Sequence, residues 1–389
     1  MRTVAAFALL KAWLYICRES SALLPDAPAK TVTMPVEEGF VAVEIDGQEV
    51  ELRLDSGYYG LAVMDGRWYK RKYGGDACDW WGSGCYFCPK KAPCKFKHAK
   101  DKIKDDFADN SSIKGLPRTG ALVMDGHEPT DVNFMVSRHT VWTDNETTPW
   151  GFFGISCSPP GVTRQSLLDT LFRKNVVGRL SYTLRTNTSQ DADFISGNLT
   201  LGETINESEA GQYIYTKFVF SPSHHRALTA VFVYSLGLFD EAGNLKSKEG
   251  LTHRGPGSYL AIVDTGTNGL YLPRLNLVED MLRSLQAKLR RKGYSKERIS
   301  QMWRRDRNGF LNVKVEAVSF LPVLGLAITE GPGALVVKIR PKHYCVTLVD
   351  GEVVVNVQYH ANAVLGTPFF TAYTVHVDYT DHKIALLEN

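Results

Sequence analysis

Two short motifs in this sequence place an aspartate directly before a small hydroxyl residue and a glycine. An Asp-Ser-Gly motif occupies residues 55–57, and an Asp-Thr-Gly motif occupies residues 264–266. Two carboxylates held within hydrogen-bond distance share one proton, because both cannot easily ionise side by side. The charged member can act as a general base on a water molecule while the protonated member donates to a carbonyl oxygen. Asp55 and Asp264 are therefore candidates for metal-free hydrolysis of an amide.

Each motif is followed at nearly the same interval by an apolar pair and a glycine. The first pair ends at Gly154, 99 residues after Asp55, and the second ends at Gly366, 102 residues after Asp264. One Asp-Ser/Thr-Gly triplet is weak, since many strand-to-turn junctions produce it. Two copies with matched partners indicate an internal duplication. If the two copies pack about a pseudo-twofold axis, the turns that the motif glycines permit bring both carboxylates to one interface.

The elements around these motifs are predicted to be mainly strands. Alternating apolar runs at residues 40–45 and 50–54 flank Asp-Gly at 46–47, a strong hairpin signal. Similar apolar strand patterns occur at 259–263 and 336–339. Helical patterns are confined mainly to 166–172 and to a long stretch at 277–307. The predicted fold class is therefore all-β.

Length and charge limit the alternatives. With 389 residues and 44% hydrophobic content, the chain can fill more than one core, so two lobes are expected. A net charge of +3, from 45 basic and 42 acidic side chains, provides no global field for nucleic acid or an anionic membrane. We therefore expect no nucleic-acid partner.

The first 22 residues resemble a cleaved signal peptide, with a basic start, an apolar run and small residues near the end. A buried N-terminal helix is the alternative, because Lys11 interrupts the run. No later stretch reaches about 18 apolar residues, so no stable membrane anchor is expected. About 33 residues then separate the cut from Asp55, which leaves no room for a sizeable inhibitory prosegment.

Cysteines and glycosylation motifs agree with entry into the secretory pathway. Six cysteines remain after the signal, an even number suited to disulfides. They are Cys78, Cys85, Cys88, Cys94, Cys157 and Cys345. The Asn-x-Ser/Thr sequons lie at Asn110, Asn145, Asn187, Asn198 and Asn206.

The four clustered cysteines at residues 78–94 have two interpretations. Cys85-x-x-Cys88 has the spacing of zinc ligands, but a second such pair is missing and His98 is a poor substitute. Disulfides are favoured, although the sequence does not choose among their three pairings. Cys157 and Cys345 could form a bridge or remain reduced in a core.

Other candidate sites have simpler explanations. The basic stretch from Lys288 to Arg307 could bind nucleic acid or a membrane surface, but its interspersed apolar residues favour a solvated amphipathic helix. The pair at residues 224–225 and His343 lack ligand partners at diagnostic spacing, so surface or core roles are favoured.

Together these residues resemble the pepsin-like aspartic proteases over nearly the whole mature chain. The second motif, extended by Thr267, matches the family's second active-site motif in full, and the glycines at 154 and 366 match its hydrophobic-hydrophobic-glycine elements. The cysteine cluster resembles the insert of the plant-type, nepenthesin-like subgroup. The resemblance implies a bilobal pepsin-like acid protease fold with a central cleft, Asp55 and Asp264 as the catalytic dyad, and no cofactor or metal.

The sequence departs from the family at three positions. Tyr58 stands where the family places Ser or Thr, so only Thr267 keeps a hydroxyl beside its aspartate, and a less symmetric dyad is expected. Phe107 is the best match to the tyrosine of the substrate-covering flap, and it lacks the phenol hydroxyl. A glycan at Asn110 would crowd that flap, so an active enzyme should leave it unmodified.

We therefore predict a signal peptide at residues 1–22, an N-terminal lobe at 23–208 and a C-terminal lobe at 209–389. The predicted function is aspartic endopeptidase activity at acid pH, by a monomer that is secreted or resides in an acidic lysosome- or vacuole-like compartment. The alternative is a catalytically weakened or inactive protein of the same fold that acts as a binding or inhibitor module. A polypeptide is the expected substrate. The predicted substrate-binding residues are Gly57, Tyr58, Phe107, Gly266 and Thr267.

Overall fold

The structure is a computed structural model, and its described residues contain far more strand than helix, as predicted. These residues are 30–96, 102–107, 111–141, 148–158, 165–187, 194–205, 210–221, 228–240, 258–331, 334–348 and 351–389. The predicted signal peptide, His98, the pair at 224–225 and the sequons at Asn110, Asn145 and Asn206 lie outside them.

The strands fall into two runs along the chain. The first run is β1 (Val32–Val36), β2 (Phe40–Ile45), β3 (Gln48–Asp55), β4 (Leu61–Asp65), β5 (Cys85–Tyr86), β6 (Ile103–Asp106), β7 (Ser112–Gly120), β8 (Leu122–Val123), β9 (Val132–Val141), β10 (Phe152–Gly154), β11 (Ser181–Thr186) and β12 (Gly197–Leu201). The second run is β13 (Ile214–Lys217), β14 (Val219–Ser221), β15 (Leu228–Val233), β16 (Ser235–Phe239), β17 (Tyr259–Val263), β18 (Leu270–Leu272), β19 (Trp303–Arg305), β20 (Leu311–Lys314), β21 (Val323–Ala327), β22 (Val336–Ile339), β23 (Cys345–Thr347), β24 (Glu352–Val355), β25 (Val357–Tyr359), β26 (Ala363–Leu365), β27 (Tyr373–Asp378) and β28 (Lys383–Glu388).

The helices are short, with one exception. They are α1 (Gly66–Tyr73), α2 (Leu167–Arg173), α3 (Leu277–Arg291), α4 (Lys296–Ser300), α5 (Val315–Val318), α6 (Pro341–Tyr344) and α7 (Thr367–Ala372). In the part of the chain that the structure describes, no helix combines the length and apolar character needed to cross a bilayer.

Within the described residues, the strands form five sheets. Strands β2 to β10 form a nine-stranded sheet, ordered β6-β7-β9-β4-β10-β3-β2-β8 with β5 beside β4. The second run forms a six-stranded sheet, ordered β14-β15-β17-β26-β18-β25, and smaller sheets β16-β21-β22 and β19-β20-β24-β23. A further six-stranded sheet, β1-β12-β11-β27-β28-β13, takes strands from both runs and so joins the two ends of the chain.

The two aspartate motifs lie in the same strand arrangement. In the first half, β10 lies between β3, which it pairs in parallel, and β4, which it pairs antiparallel. In the second half, β26 lies between β17 and β18 in the same two orientations. The duplication inferred from the motifs is therefore also a duplication of local topology.

The hairpin predicted from Asp-Gly at residues 46–47 is present. Strands β2 and β3 pair antiparallel, with Ile45 opposite Gln48. Asp46 and Gly47 both have positive φ, 51° and 77°, which a two-residue turn of this kind requires. The turn fixes the register that carries Asp55 to the end of β3.

The predicted helical stretch at 277–307 is wrong in its extent. Helix α3 ends at Arg291, and Gly293 adopts a φ of 86° that breaks the helix. A short second helix, α4, follows, and residues 303–305 are a strand paired with β20. Strand pairing therefore overrides the helical pattern there.

The amphipathic explanation of this basic stretch fits the structure. Leu285 and Leu289 of α3 are fully buried. Several of the arginines pair with carboxylates of neighbouring elements. These pairs are Arg298 with Glu316, Arg304 with Glu352 and Arg305 with Glu279.

The cysteine cluster forms two disulfides, Cys78–Cys85 and Cys88–Cys94, which excludes the zinc interpretation for these four residues. Cys157 and Cys345 are buried reduced thiols, so the alternative in which they bridge is wrong.

Candidate active site

The two motif aspartates lie at equivalent ends of two strands. Asp55 is the last residue of β3, and Asp264 directly follows β17. In each motif the glycine N–H donates to the aspartate Oδ1, at 2.7 Å from Gly57 and 2.9 Å from Gly266. Each turn therefore folds back on its own carboxylate and fixes the side chain's direction.

The motif glycines show that the two carboxylates face one another. A Cβ added to Gly57 would lie 3.1 Å from Oδ1 of Asp55 and also 3.1 Å from Oδ1 of Asp264. The two oxygens are therefore separated by no more than twice that distance, about 6.2 Å. A Cβ on Gly266 would also contact both aspartates, at 3.1 Å and 3.2 Å from the same two oxygens. Any side chain at either glycine would therefore enter the space that the carboxylates share.

Four hydrogen bonds between the motifs hold this arrangement. The Ser56 N–H donates to Thr265 Oγ1 at 2.9 Å, and the Thr265 N–H donates to Ser56 Oγ at 3.0 Å. The Ser56 hydroxyl donates to the Val263 carbonyl and the Thr265 hydroxyl to the Leu54 carbonyl, both at 3.0 Å. Because both hydroxyls are buried, these bonds fix the relative position of the two motif turns.

The glycines at 154 and 366 leave room for the motif turns. A Cβ on Gly154 would lie 2.5 Å from the Tyr58 carbonyl oxygen and 2.6 Å from that of Gly60. A Cβ on Gly366 would lie 2.2 Å and 2.5 Å from the carbonyl oxygens of Thr267 and Gly269, the equivalent residues of the second copy. The hydrophobic-hydrophobic-glycine elements are thus the backbone supports of the motif turns.

The two copies differ at the residue after the motif glycine. The Thr267 hydroxyl donates to Asp264 Oδ2 at 2.8 Å. At the equivalent position, the Tyr58 hydroxyl donates to Oδ2 of Asp105 at 2.8 Å, and both side chains are buried. Asp105 belongs to β6, so Tyr58 joins the first motif turn to an edge strand of the same sheet.

Phe107 follows β6 in a hairpin with β7, where its N–H donates to the Ser111 carbonyl at 2.8 Å. Its ring stacks on Phe152 at 4.9 Å between centroids and lies 6.0 Å from the ring of Tyr58. The predicted flap aromatic therefore packs into an aromatic cluster beside the first motif. Residues 108–110, which follow Phe107 in the sequence, lie outside the described residues.

Arg53, whose side chain is only 2% exposed, is not among the site residues predicted from the sequence. Its Nη2 donates to Asn268 Oδ1 at 2.7 Å and lies 3.5 Å from the Thr265 carbonyl oxygen, in the second motif turn. Burial lowers the pKa of Arg53 to about 10, while the charges of Asp55 and Asp264 act in the opposite direction. The signal was present, because residues i and i+2 of a strand point to the same face, and Arg53 precedes Asp55 by two.

Among the described residues, no group of three or more His, Cys, Asp or Glu side chains could hold a metal ion. His343 is half-buried, and desolvation lowers its pKa to about 4. The arrangement offers two facing carboxylates as its reactive groups.

Comparisons with known proteins agree with this geometry at the level of the fold. The chain is similar to the crystal structure of aspartic proteinase from Irpex lacteus, with a TM-score of 0.60 and 15% sequence identity over 93% of this chain and 98% of that chain. No family model matches the sequence, and no curated protein matches it. The chain has the pepsin-like aspartic proteinase fold, as predicted.

Proposed function

We propose that this protein is an aspartic endopeptidase in which Asp55 and Asp264 activate one water molecule. The proposal is carried by one observation: a Cβ atom added to either motif glycine would lie within 3.2 Å of a carboxylate oxygen of both aspartates. Partial exposure of Asp264, Gly266 and Thr267 gives solvent access to the pair.

In the proposed reaction, the charged carboxylate takes a proton from water as the water oxygen bonds to the peptide carbonyl carbon. The other carboxylate gives its proton to the carbonyl oxygen. Collapse of this tetrahedral species breaks the C–N bond as the dyad proton passes to the leaving amine, and one hydroxyl of the species returns its proton to the dyad as the product carboxyl group forms. No group outside the dyad is needed to balance the protons.

We further propose that Gly57, Tyr58, Phe107, Gly266 and Thr267 line the substrate site. The glycines permit close approach to the carboxylates, and an extended peptide is expected to bind in a strand-like form. The aromatic rings of Tyr58, Phe107 and Phe152 form a cluster beside the first motif. We expect an apolar side chain of the substrate to pack against it.

Digestion of a denatured protein at several acid pH values tests this function. We expect cleavage that the transition-state mimic pepstatin abolishes and that a chelator leaves unchanged. Cleavage lost to the chelator instead would indicate a metal-dependent hydrolase.

A second candidate, a binding or inhibitor module with a weakened site, is favoured by the Tyr58–Asp105 hydrogen bond, which replaces a family hydroxyl beside Asp55. This candidate predicts no cleavage at any acid pH, together with tight binding of an intact polypeptide.

We also propose passage through the secretory pathway to the exterior or an acidic compartment. Two disulfides support it, because disulfides persist in oxidising compartments. Asn187 and Asn198 are exposed and accessible to glycosylation. The signal peptide, the lobe boundary at residues 208–209, the monomeric state and the relation of the insert to the plant-type subgroup stay predictions.

A further inference from the structure

The side chain of Arg53 carries a charge and is buried, and this combination needs compensation elsewhere in the site. A fully buried guanidinium is unfavourable unless an anion or several hydrogen bonds compensate it. Its hydrogen bonds go to neutral oxygens, namely those of Asn268 at 2.7 Å and the carbonyls of Glu38 and Thr265 at 3.4 Å and 3.5 Å. Its Nε has no partner among the described residues.

No carboxylate in the described part of the chain lies within salt-bridge distance of Arg53. The geometry places Arg53 beside both dyad members: it precedes Asp55 by two residues on the same face of β3, and its contacts with Thr265 and Asn268 hold it against the turn that follows Asp264. The charges of both aspartates raise the pKa of Arg53, against the larger effect of burial. The rings of Phe40 and Phe194, with centroids 5.7 Å and 5.0 Å from its Cζ, contribute cation–π contacts and exclude water.

Two other acidic residues near Arg53, Glu51 and Glu38, have another partner or face solvent. Glu51, two residues earlier on β3, accepts a hydrogen bond from the Gly82 N–H at 2.7 Å. Glu38 contributes its backbone carbonyl, while the residue is exposed. The second motif turn contributes Asp264 and the neutral Asn268. Asp55 and Asp264 are therefore the anions to which the buried cation responds.

This coupling acts in both directions. If the dyad's negative charge stabilises the guanidinium, the guanidinium stabilises the dyad's negative charge by the same energy. Water and salt screen charges at a buried site less than they screen charges at the surface. Arg53 also binds the second motif turn from the first half of the chain, so it combines a charge with a positional contact.

We propose that Arg53 is a positioning residue of the dyad, a buried cation that ties the two motif turns together and moves the pH range of the singly protonated dyad downward. The proposal rests on the proposed protease function. A buried cation beside the dyad would supply some of the stabilisation of negative charge that a hydroxyl at the position of Tyr58 would have given.

The first test is the pH profile of kcat/KM for the wild-type protein and for Arg53→Gln, which removes the charge but keeps a donor for Asn268. The upper pH limb should move upward by about one pH unit, as expected for loss of an adjacent opposite charge. Arg53→Lys keeps the charge, so the upper pH limb of its kcat/KM profile should stay at the wild-type position. Its turnover should fall, because lysine lacks the planar guanidinium that makes several hydrogen bonds at once. If Arg53→Gln folds and the upper pH limb of its kcat/KM profile stays at the wild-type position, the proposal is wrong.

Arg138→Gln is the matched control, because Arg138 pairs with the buried Asp65 at 2.8 Å in the same half of the chain, outside the site. The upper pH limb of the kcat/KM profile of Arg138→Gln should stay at the wild-type position. If Arg53→Gln fails to fold while Arg138→Gln folds, Arg53 has a structural role and the proposal is wrong.

A second readout separates this inference from the proposed function. Infrared titration of the carboxyl bands, assigned with Asp55→Asn and Asp264→Asn, follows the dyad without turnover. The dyad should lose its protons at higher pH in Arg53→Gln than in the wild type. If the wild type cleaves nothing but this difference is seen, the function fails and the coupling stands; if cleavage occurs and no difference is seen, only the Arg53 proposal fails.

Discussion

At the scale of single residues, two small hydroxyl side chains hold the turns that carry Asp55 and Asp264 in place. The Ser56 and Thr265 hydroxyls each accept from the other's backbone N–H and donate to a carbonyl across the motif interface. A buried polar group left without its partner costs about 1–3 kcal/mol. The pairing therefore penalises any displacement of one motif turn relative to the other.

Thr265→Val should test this residue-scale claim. The substitution keeps the shape but leaves the Ser56 N–H and the Leu54 carbonyl without the threonine hydroxyl, so we expect the free energy of unfolding to fall by about 2–4 kcal/mol. We also expect kcat/KM to fall by about tenfold or more, because small displacements of catalytic groups are costly. Denaturant unfolding and peptide-cleavage kinetics measure the two effects.

Thr371→Val is the control for this substitution. Its buried hydroxyl donates at 3.2 Å to the Pro368 carbonyl within α7, a local bond that joins no motif. It should lose some stability and keep wild-type kcat/KM at a pH where it is folded. Equal kinetic losses in Thr265→Val and Thr371→Val would contradict the assigned role.

At the residue scale, the sequence points to site residues where a pattern repeats and gives no indication where only a tertiary contact defines a residue's role. The two aspartates were found because their motifs occur twice. Arg53 was missed because its spacing from Asp55 predicts a shared face of the strand but does not indicate that this face is buried. Asp105 was missed because its hydrogen bond with Tyr58 joins residues 47 positions apart.

At the scale of elements, β10 and β26 support the motif turns through glycines that cannot carry a side chain. A Cβ atom added to Gly154 or Gly366 would lie within 2.6 Å of two backbone carbonyl oxygens of the motif turn that the glycine supports. Backbone atoms cannot rotate away as a flexible side chain can, so a methyl group there must displace the turn.

Gly154→Ala and Gly366→Ala should therefore each impair the site. We expect each to lower the free energy of unfolding by about 1–3 kcal/mol through overpacking and to reduce kcat/KM more than stability alone explains. Gly211→Ala is the matched control, because a Cβ there meets nothing within 4 Å and its φ is not positive. Its stability should change by less than about 0.5 kcal/mol. Unfolding curves and cleavage rates that match for all three variants would contradict this view of the glycines.

Element prediction was most successful where the local chemistry is decisive. The hairpin at residues 46–47 needs two positive φ angles, which Asp-Gly supplies. The end of α3 was missed because apolar spacing continues past Gly293, although that glycine and the strand β19 end the helix. Short strands such as β26 have too few residues for a period to be read, and only their pairing defines them.

At the scale of the whole molecule, duplication explains why distant residues meet. Each motif lies in a sheet of its own half, and the sheet β1-β12-β11-β27-β28-β13 joins the halves. The all-β class and the matched motifs were predictable because both copies leave a sequence signal. The order of strands in the joining sheet was not, since pairing β11 with β27 connects residues nearly 200 positions apart, Ser181 with Asp378.

The most direct test of the central claim is a double-variant cycle on Asp55 and Asp264. Rates of cleavage of a fluorogenic peptide at acid pH are compared for the wild type, Asp55→Asn, Asp264→Asn and the double variant. The dyad account predicts that each single variant loses about 10³-fold or more in kcat/KM and that the double variant is about as inactive as either, because the two groups act as one unit. Wild-type turnover in either folded single variant, or losses that simply multiply, would contradict it.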